Sequence, residues 1–103
     1  MNSIQEKVDE LIKKYKLESS VEIRFIDLVS ELGELGKEIL KGNDYGKNDF
    51  IKTENLETEL GDTFFSLICV ANCLNIDLKN ALDIVLKKYE NRFANNGNIG
   101  SGR

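Results

Sequence analysis

The stretch "ELGELGKEIL" at residues 31–40 decides how this chain folds, and a second stretch, "ELGDTFFSLI" at residues 59–68, repeats its opening. Each stretch begins with an acid, a leucine, a glycine and a second acid, and then runs into apolar residues. Residues three apart on an α-helix share a face and lie one turn apart along the axis. The repeated pattern therefore predicts two helices, one presenting Glu31 with Glu34 and the other presenting Glu59 with Asp62.

The rest of the chain also shows helical periodicity, in segments that no proline interrupts. Ser-x-x-Glu capping boxes at Ser3 with Glu6 and at Ser19 with Glu22 predict the first two helix starts. The predicted helices run from Ser3 to about Lys16, from Ser19 to Gly42, from about Thr53 to Leu74, and onward from an N-cap at Asp77.

The lengths of these helices and of their connections predict the architecture. Short connections between long amphipathic helices favour antiparallel neighbours. The segment "FFSLICVANCL" is apolar nearly all round, which predicts that the third helix is the most buried. We therefore predict an all-α fold, an antiparallel four-helix bundle completed by dimerisation. It forms a single domain over residues 1–103, with a flexible tail over residues 95–103.

Composition excludes several classes of protein. The net charge of −4 argues against a nucleic-acid partner. No apolar run approaches the roughly 18 residues of a membrane span, and the start "MNSIQEKVDE" lacks the features of a signal peptide. Cys69 and Cys73 lie four apart in a chain without histidine. This pattern predicts buried thiols in a reducing cytoplasm rather than a zinc site.

The two acid pairs are expected to meet if the second and third helices pack antiparallel, with Glu38 one turn beyond Glu34 on the same side. Carboxylates at close range repel one another, and partial burial makes each charge costlier. Either some of them are protonated or a cation neutralises them. Oxygen ligands without histidine or thiolate favour Mg²⁺, with Mn²⁺ as the second choice. The competing interpretation is an ordinary solvated helix face, which the doubled pattern disfavours.

Three glycines lie inside these predicted helices, at Gly33, Gly36 and Gly61. Each costs a helix interior about 0.5–1 kcal/mol relative to alanine. We expect the glycines to allow either a close approach of two backbones or room for a ligand.

The acid pairs and the run "LETELGDTFFSLICVANCLNIDLKNALDIVLKKYENRF", from Leu56 to Phe93, resemble the MazG-like nucleoside triphosphate pyrophosphohydrolases. The resemblance extends from Ile23 to the C-terminus. It implies a helical fold that assembles as a homodimer or homotetramer, with Mg²⁺ bound to the triphosphate of the substrate. It also implies attack by metal-activated water on the α-phosphorus, which releases pyrophosphate and a nucleoside monophosphate.

The resemblance also assigns roles to residues. The metal ligands would be Glu31, Glu34, Glu59 and Asp62. Lys88 and Arg92 match the basic pair on the family's last helix, where they would hold phosphate oxygens. A carboxylate left over from metal coordination would orient or deprotonate the attacking water, and Glu34 and Glu38 are the candidates.

Two features leave questions open within the resemblance. The family often has a second acid directly before the first motif acid, and Ser30 stands there in this chain, which leaves the number of metal ions open. The tail "GNIGSGR" resembles the ending of small family members. It is either a flexible end or a glycine-rich segment that wraps a phosphate, with Arg103 adding charge.

Two other functions fit the residues. The first is a non-catalytic helical dimerisation module in which the acids hold a structural cation. The second is a hydrolase on the same scaffold that acts on another nucleotide, such as a phosphoribosyl-nucleotide or a deoxyuridine nucleotide. A panel of substrates separates these functions from a nucleoside triphosphate pyrophosphohydrolase.

Overall fold

The computed structural model describes residues 2–96, which form four α-helices and no strand. The helices are α1 (Ser3–Lys14), α2 (Val21–Gly42), α3 (Leu56–Cys73) and α4 (Leu78–Asn96). The all-α prediction is confirmed, and so is the end of the second helix at Gly42. None of the helices in the described part of the chain is long and apolar enough to cross a membrane.

The caps of the first two helices lie one residue away from their predicted positions. Asn2 rather than Ser3 caps α1, because its side chain accepts a hydrogen bond from the Gln5 N–H at 3.0 Å. Ser20 rather than Ser19 caps α2, because its hydroxyl accepts from the Ile23 N–H at 3.3 Å. Both capping residues have extended backbones, as an N-cap requires, and Asn and Ser are among the best caps. Neighbouring polar residues can each supply a cap, so the sequence pattern left this register undecided.

Helices α2 and α3 form the central pair, and three cross-contacts show that they run antiparallel. Arg24 lies close enough to Cys69 to influence the thiol. Further along α2, the main-chain oxygen of Glu31 faces the Thr63 hydroxyl at 3.4 Å. Near the end of α2, the Glu38 carboxylate accepts a hydrogen bond from Thr53, just before α3. Residues further along α2 therefore contact residues progressively earlier in the chain around α3. This antiparallel arrangement brings both acid motifs to the same level.

The segment before α3 packs against the last turn of α2. The Ile51 N–H donates to the Gly42 carbonyl at 2.7 Å. A Cβ atom at Gly42 would lie 2.4 Å from Cε2 of the Phe50 ring, so only glycine fits there. The third helix therefore begins at Leu56, later than the predicted start near Thr53, because these residues follow α2 instead of winding into a helix.

Helix α1 packs on α3 through a buried glutamine. The Gln5 side chain is fully buried. Its amide nitrogen donates to Asn72 Oδ1 at 2.9 Å and to the Ile76 carbonyl at 2.8 Å. Its oxygen accepts from the Leu78 N–H at 2.7 Å and from the Asn2 amide at 2.6 Å. One side chain thus ties α1 to α3 and to the first residue of α4.

Asp77 caps α4, as predicted. Its carboxylate accepts from the N–H groups of Lys79 at 2.9 Å and Asn80 at 3.3 Å. Partial burial by itself would raise the pKa of Asp77. Hydrogen bonds from Asn80, Asn2 and Lys79 outweigh it and hold that pKa below its ordinary value. The start of α4 is therefore well anchored.

Beyond its first turn, α4 does not complete a closed bundle within the chain. No residue of α4 whose side chain is described is buried, and Leu82, Ile84, Leu86 and Phe93 are each more than half exposed. The accessible surface is 7825 Å², whereas a compact monomer of 11.7 kDa would expose about 5900 Å². The radius of gyration of 17.0 Å likewise exceeds the roughly 13 Å expected for this length. The described residues therefore leave much apolar surface exposed to solvent.

The hydrophobic core lies mainly on the second half of α3, as predicted. Ile68, Cys69 and Ala71 are buried there, and Ile12 of α1 joins them. Cys73, which we predicted to be buried, is exposed, because its side of α3 faces an open groove near the α1–α2 connection. Both thiols are free, and burial raises the pKa of Cys69.

Candidate metal centre

Three of the predicted ligands meet between α2 and α3. Glu31, Glu59 and Asp62 each place one carboxylate oxygen so that all three oxygens lie within 4.8 Å of one another. Glu31 and Glu59 are half-buried and Asp62 is exposed. The site therefore lies in the seam between the two helices and opens to solvent.

Thr63 lies in the seam between the two helices at this level. Its hydroxyl lies 2.9 Å from the main-chain oxygen of Glu59, on its own helix, and 3.4 Å from that of Glu31 across the seam. The antiparallel packing and the three-residue spacing within α3 therefore explain why the acids converge.

Glu34 lies beside this group without belonging to it. Its side chain is exposed on the next turn of α2. The pKa of Glu31 is raised, first by desolvation, then by the charges of Asp62 and Glu59, and after them by Glu34 and Asp27. Glu34 is therefore near enough for its charge to influence the Glu31 carboxylate.

Asp27 is a member of this acidic surface that sequence reasoning missed. It precedes Glu31 by four residues on α2, so both lie on one face, and its charge raises the pKa of Glu31. It also lies 3.8 Å from the Arg24 guanidinium, which offsets part of its charge. The four-residue spacing between Asp27 and Glu31 could have predicted that they share a face, but Asp27 lies outside the repeated acid motif.

The donor set fits a hard divalent cation. All three donors are carboxylates, which suit Mg²⁺ or Mn²⁺ better than zinc or copper. Glu31, Glu59 and Asp62 are therefore the residues that would hold such an ion, which would neutralise their charges. Desolvation raises the pKa of Glu31 most, and the charges of Asp62 and Glu59 raise it further; a bound cation would offset that repulsion.

The glycines of the two motifs do not serve a close approach of backbones inside the chain. A Cβ atom built at Gly33, Gly36 or Gly61 would meet nothing within 4 Å. Of the two expected reasons for these glycines, a close approach of two backbones is therefore wrong within the chain. Gly61 instead lines an open apolar groove of about 600 Å³ beside the acids. The groove is also lined by Leu28, Leu32, Leu60, Phe64 and Leu67. The glycines thus leave open space on this surface.

Glu38, one of the two predicted catalytic carboxylates, is engaged elsewhere. Its side chain is buried, Oε2 accepts from the Thr53 hydroxyl at 2.5 Å, and Oε1 lies 3.6 Å from the Lys41 ammonium. It is not part of the close group formed by the other acids.

The basic pair lies on α4, whereas the acids lie on α2 and α3. Lys88 and Arg92 line a shallow groove built only from α4 residues. Both lie over the Tyr89 ring, with Nζ of Lys88 4.9 Å and Cζ of Arg92 5.8 Å from its centroid. Arg103, the third predicted phosphate ligand, lies outside the described residues.

Comparison with known proteins places the chain in a family. A model of the MazG nucleotide pyrophosphohydrolase domain matches residues 20–95. The YpjD protein of Bacillus subtilis (strain 168), which is described as uncharacterized, is 36% identical over 96 residues; these cover 89% of this chain and 85% of the relative.

Two crystal structures share the fold. The Bacillus-conserved MazG protein, described as a nucleotide pyrophosphohydrolase, is 38% identical with a TM-score of 0.70 over 84% of each chain. YPJD from Bacillus subtilis is 38% identical with a TM-score of 0.74, over 89% of this chain and 94% of the other. The domain match, the sequence identity and the shared four-helix fold lead to one conclusion: the chain belongs to the MazG family of nucleotide pyrophosphohydrolases and is a hydrolase.

Proposed function

We propose that the protein is a Mg²⁺-dependent hydrolase that converts a nucleoside or deoxynucleoside triphosphate and water to the monophosphate and pyrophosphate. The proposed ligands are Glu31, Glu34, Glu59 and Asp62, and Mn²⁺ is the proposed substitute ion. The observation that carries the proposal is the convergence of three carboxylate oxygens within 4.8 Å. A bound cation would neutralise these carboxylates, and the triphosphate of a nucleotide arrives with about four further negative charges that also need neutralising.

The chemistry follows from the residues present. Bound Mg²⁺ would neutralise phosphate charge and lower the pKa of water at the site. Glu34, which is exposed beside the close group, is the proposed base that orients the attacking water and accepts its proton. The water oxygen bonds to the α-phosphorus while the bond from that phosphorus to the bridging oxygen breaks, and pyrophosphate leaves. Glu38 stays a second candidate from the sequence, although its two oxygens already have protein partners.

The proposal includes assembly as a homodimer or homotetramer. The exposed apolar residues of α4 and the apolar groove beside the acids support it, because exposed patches of this kind commonly mark interfaces. Lys88 and Arg92 would then hold substrate phosphates from α4 of a second copy; the residues that line their groove all belong to α4. The two free cysteines support a reducing cytoplasmic location.

The test is product analysis with purified protein. We expect monophosphate and pyrophosphate from a panel of canonical and modified triphosphates with Mg²⁺, and no turnover with EDTA. Diphosphate with orthophosphate would contradict the proposed bond cleavage. Phosphoribosyl-nucleotides and deoxyuridine nucleotides belong in the panel, because their preferential hydrolysis would change the proposed substrate.

Site variants test the residues. Glu59→Gln and Asp62→Asn are expected to remain folded and to lose almost all activity and Mn²⁺ binding, because each keeps its shape and loses a charged ligand. Glu22→Gln is the matched control, since Glu22 is an exposed acid of the first turn of α2 and lies outside both the close group and the groove beside it. Lys88→Ala is expected to raise KM more than it lowers kcat. Parent activity in either ligand variant would show that the proposed metal site is wrong.

A further inference from the structure

Glu38 is the one buried carboxylate among residues 2–95, with only 6% of its surface exposed. A buried carboxylate is costly unless its oxygens are satisfied. Oε2 accepts from the Thr53 hydroxyl at 2.5 Å, and Oε1 lies 3.6 Å from the ammonium of Lys41 on the same helix. The bond to Thr53 spans 15 residues of sequence, so it joins the end of α2 to the segment that enters α3.

Thr53 is connected to α3 as well as to Glu38. Its main-chain oxygen accepts from the N–H of Leu56, the first residue of α3, at 3.3 Å. The segment before Thr53 is also held on α2, because the Ile51 N–H donates to the Gly42 carbonyl. A chain of contacts therefore leads from the buried carboxylate to the first residue of α3.

The start of α3 needs such an anchor. The residue at its N-cap position, Asn55, makes no side-chain capping bond. A helix without a side-chain cap loses about 0.5–2 kcal/mol of local stability, and its first turn frays more readily. Glu59 lies in that first turn, and it is one of the three carboxylates that meet at the candidate metal centre.

We propose that Glu38 is a positioning residue: through Thr53 it fixes the first turn of α3 and thereby the place of the Glu59 carboxylate opposite Glu31. This inference rests on the proposed function, because it assumes that these carboxylates bind the metal ion. It gives Glu38 a role that depends on its hydrogen bond rather than on proton transfer. Residues that orient metal ligands typically affect metal affinity or activity by about 10- to 100-fold.

The test compares Thr53→Val with Thr53→Ser in the full-length protein. Valine keeps the shape of threonine and removes the hydroxyl, whereas serine keeps the hydroxyl. We expect Thr53→Val to weaken Mn²⁺ binding, followed by electron paramagnetic resonance, by about 10-fold. The Mg²⁺ concentration for half-maximal activity should rise in parallel, and Thr53→Ser should bind Mn²⁺ about as the parent does. Circular dichroism checks that each variant is folded.

Glu38→Gln separates positioning from catalysis and remains informative if Thr53→Val does not fold. Its amide oxygen can still accept from Thr53, so positioning predicts a loss of activity well below that of Glu59→Gln. If Glu38→Gln lost as much activity as Glu59→Gln, the inference would be overturned and Glu38 would be a candidate for the proton transfer itself. Parent-like Mn²⁺ binding by Thr53→Val would also overturn it. Parent-like Mn²⁺ binding by Glu59→Gln, in contrast, would refute the metal site itself.

Discussion

Replacement of Gln5 by leucine should destabilise the fold far more than any surface change on α1. Leucine has a similar volume and fills the buried site without leaving a large cavity, but it removes four hydrogen bonds. The main-chain N–H of Leu78 and carbonyl of Ile76 then lose their partner. A buried polar group without a partner costs about 1–3 kcal/mol. The lower half of that range applies to each of these two main-chain groups, because neither Ile76 nor Leu78 is fully buried.

The expected decrease in the free energy of unfolding is therefore about 2–4 kcal/mol. That is a large share of the roughly 5–15 kcal/mol that stabilises a typical domain. In urea, with a slope of about 2 kcal/mol per molar, the midpoint should fall by about 1–2 M. All variants must be compared at one protein concentration, because any assembly of the chain adds to its apparent stability.

Lys7→Leu provides the matched control, since it introduces the same side chain at an exposed position of the same helix. Such a surface change is expected to stay within about 0.5 kcal/mol of the parent. The reasoning is refuted if the free energies of unfolding of Gln5→Leu and Lys7→Leu differ by less than about 0.5 kcal/mol. The hydrogen bonds of Gln5 would then not stabilise the junction of α1, α3 and α4.

Three further predictions follow from local contacts. Gly42→Ala should lower the free energy of unfolding by about 1–3 kcal/mol, measured in urea, because the new Cβ would collide with the Phe50 ring. Hydrogen bonds outweigh burial and lower the pKa of Asp77, so its stabilising effect is present above the unfolded pKa and is lost as pH falls through the folded pKa. The stability difference between the parent and Asp77→Asn should therefore shrink between pH 6 and pH 3. Cys73 should react rapidly with a chromogenic disulfide reagent, and Cys69 only after unfolding, because burial shields that thiol and raises its pKa.

Each of these predictions has a control or a contradicting result. Gly36→Ala should be neutral or stabilise by about 0.5–1 kcal/mol, since its Cβ would meet nothing within 4 Å. A constant difference between the parent and Asp77→Asn across that pH range would show that the carboxylate is not held in its ionised form. Cys73→Ser should abolish the fast thiol reaction. Two equally fast thiols in the parent would contradict the burial of Cys69.

Much of the fold was predictable because helical periodicity is a local property. Four helices, the end of the second at Gly42, the cap at Asp77 and the burial of the middle of α3 all follow from residues within one or two turns of each other. The cap registers of α1 and α2 were missed by one residue because adjacent polar residues can perform the same task. The late start of α3 was missed because it depends on how Phe50 and Ile51 pack on α2, far away in sequence.

The candidate site divides in the same way. The sequence alone determined the all-α class, the pairing of acids within each helix and the absence of histidine ligands, since these depend only on residue type and helical spacing. Only the tertiary structure decided which acids meet. The register of α2 against α3 brings Glu31, Glu59 and Asp62 together, leaves Glu34 at the edge and buries Glu38 against Thr53. That register depends on contacts between residues distant in the chain, and no local pattern encodes a distance across two helices.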